Sequence, residues 1–161
     1  MDFEKRLEKA IERGQQTRDE EGRLAAEKAL GTEELKALHT SCRLELSEHI
    51  ENCLQQMAER FPGFAFETVV GEDGWGARIT RDDLTGRRGR PVEALFSRLR
   101  MLVRPYSDVH IVELVTKGTI RNKEIISRNH YQFLSQVDMD SFRELVDLWV
   151  LDYAEKFAAN S

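Results

Sequence analysis

Residues 61–74 read Phe61-Pro62-Gly63-Phe64-Ala65-Phe66-Glu67-Thr68-Val69-Val70-Gly71-Glu72-Asp73-Gly74, and the period of the apolar side chains changes inside this stretch. Up to Phe61 they recur at threes and fours. Beyond Gly63 they alternate, with Phe64, Phe66, Thr68 and Val70 on one side and Ala65, Glu67 and Val69 on the other. A helix repeats about every 3.6 residues and a strand every two, so Pro62-Gly63 ends a helix and a sheet begins just after it. Gly71-Glu72-Asp73-Gly74 then supplies a turn, and Trp75, Ala77, Ile79 and Arg81 resume the alternation, which predicts a hairpin.

Working back from Phe61, the helix has a clear start. Gly31 can terminate what precedes it, Thr32 is a good N-cap, and Glu33 and Glu34 suit the positive end of a helix. Leu35, Leu38, Cys42, Leu46, His49, Ile50, Cys53, Leu54, Met57 and Phe61 form its apolar stripe. Thirty helical residues span about 45 Å, longer than a small sheet is wide. Part of the stripe is therefore expected to meet a dimer partner, or the N-terminal residues folded back as a hairpin. Residues 1–31 read as a helical arm with short apolar stripes at both ends. The stretch 14–22 between them has no apolar residue and fits either a loop or solvated helix. The expected division is an arm over 1–31 and a single α+β domain over 32–161.

Working forward, Thr85-Gly86-Arg87-Arg88-Gly89-Arg90-Pro91 is a basic loop. A strand follows, with Leu95, Ser97, Leu99, Met101 and Val103 on one face and Phe96, Arg98, Arg100, Leu102 and Arg104 on the other. Pro105-Tyr106-Ser107-Asp108 makes a turn, and His110 to Thr116 another strand. A fifth strand near 119–127 follows a turn at either Lys117-Gly118 or Arg121-Asn122-Lys123. Asp138 or Asp140 caps a last helix whose apolar face is Phe142, Leu145, Val146, Trp149, Tyr153 and Phe157, broadened by Leu148, Val150 and Leu151. The predicted fold is α+β: an antiparallel sheet of four or five meandering strands, preceded by a long helix and closed by an amphipathic one.

Charge is unevenly spread over this frame. Between Arg78 and Arg104 stand eight Arg, no Lys and three acids, in a chain of net charge −5. Strand alternation puts Arg98, Arg100 and Arg104 on one face, with Arg78 in a neighbouring row and Arg87, Arg88 and Arg90 in the loop. These seven are the candidate anion-binding residues, because Arg keeps its charge and forks onto phosphate or carboxylate. The opposing reading is a salt-bridge ladder with Glu67 and Glu113 on adjacent strands. Net acidity argues against general nucleic-acid coating, and few aromatics interleave the arginines.

Two further constellations carry ligand-type side chains. His39 with Cys42, and His49 with Cys53, each sit about one helical turn apart, but the pairs are too distant from each other to share one ion. Only a second helix could complete a site. Cysteines on an apolar helix face are usually core residues, so no metal and no cofactor is expected. Glu72-Asp73 and Asp82-Asp83 lack the spacing of a calcium loop and read as turn residues. His110 has no nucleophile with an orienting acid in sight, and no phosphate-cradling glycine loop or nucleophile elbow occurs.

The order helix, antiparallel meander, helix resembles in architecture that of bacterial secretion chaperones and similar binding folds. The long apolar helix stripe and the polar-centred N-terminal arm point to a non-enzymatic adaptor or chaperone-like interaction module, acting as a homo-oligomer or on another protein. The alternative is an anion-binding domain for nucleic acid or a phosphorylated ligand. Met1-Asp2-Phe3-Glu4-Lys5-Arg6 lacks a signal-peptide core, and Cys42 and Cys53 are about 16 Å apart along one helix, beyond disulfide reach. The expected setting is cytoplasmic, with no membrane partner.

Overall fold

A computed structural model describes residues 2–18, 20–85 and 93–160. Two helices come first, α1 (Phe3–Arg18) and α2 (Glu20–Arg60). Five strands follow: β1 (Ala65–Gly71), β2 (Gly74–Thr85), β3 (Glu93–Val103), β4 (Ile111–Ile120) and β5 (Lys123–Phe133). A short 3-10 turn, Leu134–Gln136, leads into α3 (Met139–Asn160). The strands form one antiparallel sheet in the order β1-β2-β3-β4-β5, a plain meander. This is the α+β architecture that the change of period at Pro62-Gly63 predicts. Among the described residues no helix is long and apolar enough to cross a membrane.

The polar stretch 14–22 is helical on both sides of Asp19, which lies outside the described residues. Gly31 breaks α2 with φ 73 and ψ 162, a backbone conformation that a side chain would oppose. Beyond that break α2 buries Leu35, Leu46, Ile50 and Leu54 at 0–1% exposure, with Cys42 and Met57 beside them. Together these side chains contribute on the order of 10 kcal/mol of apolar burial, so packing rather than propensity holds the helix. Their partners are Ala77, Ile79, Leu99, Met101 and Val103 of the sheet and Phe142, Val146, Trp149 and Tyr153 of α3. The long stripe is thus covered largely from within the chain. Leu148 and Leu151 depart from the predicted broad stripe: they are 53% and 64% exposed, because α3 turns only one side toward α2 and the sheet.

The turn between β4 and β5 is Arg121-Asn122, with φ 48 and 66 at its two residues, the geometry of a two-residue hairpin. Asn122 ties it to β3: its side-chain oxygen accepts from the Phe96 N–H at 2.8 Å, and its backbone N–H donates to the Phe96 carbonyl. Lys117-Gly118, the other candidate turn, lies inside β4 at a register shift. Asp138 caps α3, accepting from the Asp140 N–H at 3.1 Å and from the Ser141 hydroxyl at 3.0 Å. It also anchors α1 through Arg13, with Lys9 reaching Asp140 and Arg6 reaching Glu144.

Candidate functional site

Strand alternation divides the sheet into two chemically different faces. Ile79 and Leu99, Ala77 and Met101, and Trp75 and Val103 pair across strands on the face that α2 and α3 cover. On the other face one register row runs Glu67, Arg78, Arg100, Lys117, Ser127, and the next runs Ala65, Thr80, Arg98, Thr119, Glu124. Leu102 also stands there, between Gly76 and Val115, and is shielded from solvent. Both helices that close the core lie on the opposite side, so the arginine face carries no covering element among the described residues.

The salt-bridge ladder is realised only in part. Arg78 donates to Glu67 at 2.8 Å. Glu113, the other expected rung, instead accepts from the Asn129 amide at 3.1 Å. Arg104 reaches sideways to the Asp73 carbonyl at 2.8 Å and its carboxylate at 3.8 Å. Arg98 lies over the half-exposed Phe96 ring, 5.3 Å from its centre. Arg100 and Lys117, adjacent in register, have no carboxylate partner among the described residues. Arg87, Arg88 and Arg90 lie outside the described residues.

Arg100, Lys117 and Ser127 border a shallow depression of about 270 Å³, floored by Val115 and edged by Asn129. Arg100, Lys117, Ser127 and Asn129 give it two cations, a hydroxyl and an amide, Thr116 donates its own hydroxyl to the Arg100 carbonyl, and no carboxylate lines it. Arg128 also touches it but leans toward Asp152 of α3, at 3.8 Å. Such a hollow can accept a carboxylate or phosphate oxygen by charge-assisted hydrogen bonds. Lys117 and Ser127 were not among the sequence candidates. Lys117 was hidden by its resemblance to a turn residue next to Gly118, and Ser127 becomes informative only once the β4–β5 register is known.

The remaining candidates separate. His39 is buried edge-on against Tyr106, its Nε2 without a partner among the described residues. Burial depresses its pKa, opposed by a hydrogen bond to the Arg104 backbone and helped by the Arg43 charge. Burial likewise pushes the Cys42 thiol up to about 11, with Glu45 adding to it. No third ligand joins this pair among the described residues, whereas His49 and Cys53 face Asp147 on α3. The Cys53 thiol is pushed up to about 12, by burial first and then by Asp147. Neither thiol is a thiolate near neutral pH, so neither is primed as a nucleophile. His110 stands away from the arginine row, with Nδ1 3.7 Å from Glu27. Asp73 and Asp83 are turned to Arg104 and Arg81. No protein-family model, curated protein sequence or solved structure matches this chain.

Proposed function

We propose that the chain is a non-enzymatic protein-interaction module, an adaptor or chaperone-like domain whose bare sheet face takes an acidic segment of another protein. The observation that carries this is the Arg100–Lys117 step, without a carboxylate partner among the described residues, and the hollow beside it that no carboxylate lines. Like charges at directly opposed sheet positions repel, and a bound carboxylate relieves that repulsion. An extended acidic strand laid along β3 would meet Arg98 and Arg100 at alternate positions. Two free thiols support a reducing, cytoplasmic setting.

A second reading, nucleic acid, is favoured by one detail: Phe96, 36% exposed, lies beside Arg98 and could stack a base. The net charge of −5 weighs against it.

The test is fluorescence anisotropy with a labelled Glu-rich peptide and, separately, a labelled single-stranded oligonucleotide. The double reversal R98E/R100E should weaken peptide binding by roughly tenfold to thirtyfold, about 1 kcal/mol per reversed contact. Peptide affinity that ignores both the reversal and added salt refutes the proposal. Selective loss of oligonucleotide binding transfers the face to the second reading. Light scattering on the same sample reads whether the module acts as a homodimer.

A further inference from the structure

The second histidine–cysteine pair of α2 lacked only a ligand from another helix, and α3 supplies one. His49 and Cys53 stand one turn apart on the same side of α2, where the i,i+4 spacing brings side chains together. Asp147 faces them from α3. The three donor atoms form a small triangle: His49 Nε2 to Asp147 Oδ1 is 2.8 Å, Cys53 Sγ to Asp147 Oδ1 is 3.4 Å, and Cys53 Sγ to His49 Nε2 is 3.7 Å. Zinc bonds of about 2.0–2.3 Å at tetrahedral angles set such donors roughly 3.3–3.6 Å apart. Two edges already match within about 0.2 Å. The third opens by about half an ångström when the His49–Asp147 hydrogen bond gives way, a small rotation for Asp147, whose side chain is 52% exposed.

The backbone under these ligands is held firmly. Ile50 and Leu54 on α2 and Val146 and Val150 on α3 are all buried in the core. Ligands carried by packed helices keep their geometry better than ligands on loops. Cys53 and Asp147 also line a groove of about 380 Å³ between the helices, walled by Met57, Phe61, Val150 and Leu151.

We propose that His49, Cys53 and Asp147 form a site for one zinc ion, or a divalent ion of the same class, with the fourth coordination position turned to that groove. The donor set is one thiolate, one neutral imidazole and one carboxylate, the mixture a borderline-soft ion prefers. Charge closes as well: thiolate and carboxylate together balance a dication. Binding forms the metal–sulfur bond and releases the Cys53 thiol proton to water, so no oxidant or other reactant is needed. Three protein ligands with one open position leave room for water or for a donor from a partner seated in the groove.

The test uses the full chain, reduced and freed of metal by a chelator, titrated with Co²⁺ as a spectroscopic probe and then with Zn²⁺. One Co²⁺ per chain should bind with a thiolate charge-transfer band and the strong visible bands of a tetrahedral ion, and Zn²⁺ should displace it. Cys53→Ser abolishes the charge-transfer band, whereas Cys42→Ser keeps it. His49→Gln and Asp147→Asn should each weaken Zn²⁺ by more than about 100-fold, since even outer-shell partners of a metal ligand are worth about 10–100-fold. R98E/R100E leaves the titration unchanged, which separates this site from the sheet-face proposal. In the unsubstituted chain Zn²⁺ should slow alkylation of Cys53, a readout independent of whether any variant folds. A missing cobalt spectrum, a charge-transfer band that survives Cys53→Ser, zinc affinity unmoved by His49→Gln or Asp147→Asn, or unslowed alkylation overturns the proposal.

Discussion

Gly118→Ala is the smallest change that tests how the core closes. Gly118 faces the helices from near the end of β4, in register with Leu99. A Cβ there would lie 2.8 Å from Tyr153 Cδ2, 3.1 Å from Cε2 and 3.4 Å from Leu99 Cδ1. Carbon atoms pack at about 3.5–4.0 Å, so the ring must retreat by roughly 0.7–1 Å. It has little freedom to do so. Tyr153 is fully buried, its hydroxyl donates to the Thr119 carbonyl at 2.7 Å, and its ring stacks on Phe157 with 6.3 Å between centres. Overpacking of this kind costs about 1–3 kcal/mol, against about 0.5–1 kcal/mol regained because Ala is less flexible than Gly when unfolded. The expected net loss is about 1–2 kcal/mol. In urea, with a slope of about 2 kcal/mol per M, the midpoint should fall by roughly 0.5–1 M at unchanged slope. Tyr153→Phe removes the hydroxyl tether, so the same substitution should cost less in that background. Gly14→Ala is the control: nothing lies within 4 Å of its added Cβ, and it should leave the midpoint equal or higher. A Gly118→Ala chain as stable as the parent would refute the close approach of Tyr153 to β4.

Two other outcomes follow from buried or coupled charges. His39 is held below its ordinary pKa by burial first, so the unfolded chain binds its proton more readily. Stability from this residue is full above the unfolded value near 6.5 and is lost as pH falls through the folded value; His130, lowered by burial and by Arg13, acts in the same sense. His39→Phe should flatten the fall in urea midpoint between about pH 7 and pH 5, and an unchanged slope would exclude His39 as a source. Burial pushes Asp138 up, but the Ser141 hydroxyl, Arg13 and Lys9 outweigh it and hold the carboxyl below its ordinary value. Its contribution is therefore present above the unfolded value and is lost as pH falls through the lowered one. Asp138→Ala should cost about 0.5–2 kcal/mol through the cap of α3. It should also speed amide hydrogen exchange in α1 more than in the strands; equal exchange in α1 would show that Arg13 and Lys9 do not depend on it.

Much of the fold is legible where one physical rule acts alone. The switch from period 3.6 to period two at Pro62-Gly63 and the alternation over 95–104 follow from local geometry, and the register agrees; the cap of α3 was open between Asp138 and Asp140, and it is Asp138. The turn at 121–122 was not separable from one at 117–118, because Gly serves two purposes. A glycine in a strand can mark a turn, or it can mark a place where another group approaches closely. Gly118 is the second case, and the group is Tyr153, 35 residues away in sequence. Leu148 and Leu151 failed for a related reason. Apolar residues on every side of a helix do not say which side a neighbour will meet.

The candidate sites divide along the same line. Arg98 and Arg100 could be placed on the open face from alternation alone, but their lack of a carboxylate partner among the described residues could not, since pairing depends on which strands are adjacent and in what register. Glu67 and Glu113 looked equivalent as counter-ions, yet Glu67 sits opposite Arg78 while Glu113, four residues before Lys117 on the same strand, is opposite Tyr131 and takes the Asn129 amide. The same dependence on neighbours produced the His49–Cys53–Asp147 triangle, which the sequence could supply only in two separate pieces. A meander whose two helices share one face has no covering element on its other face among the described residues. On such a face, alternating signs across strands would favour the free protein. The row Arg78, Arg100, Lys117 instead sets three cations side by side with one acid at the end. Its repulsion is borne by the free chain and removed by an anionic partner, so the feature that weakens the isolated domain is the one that would strengthen its complex.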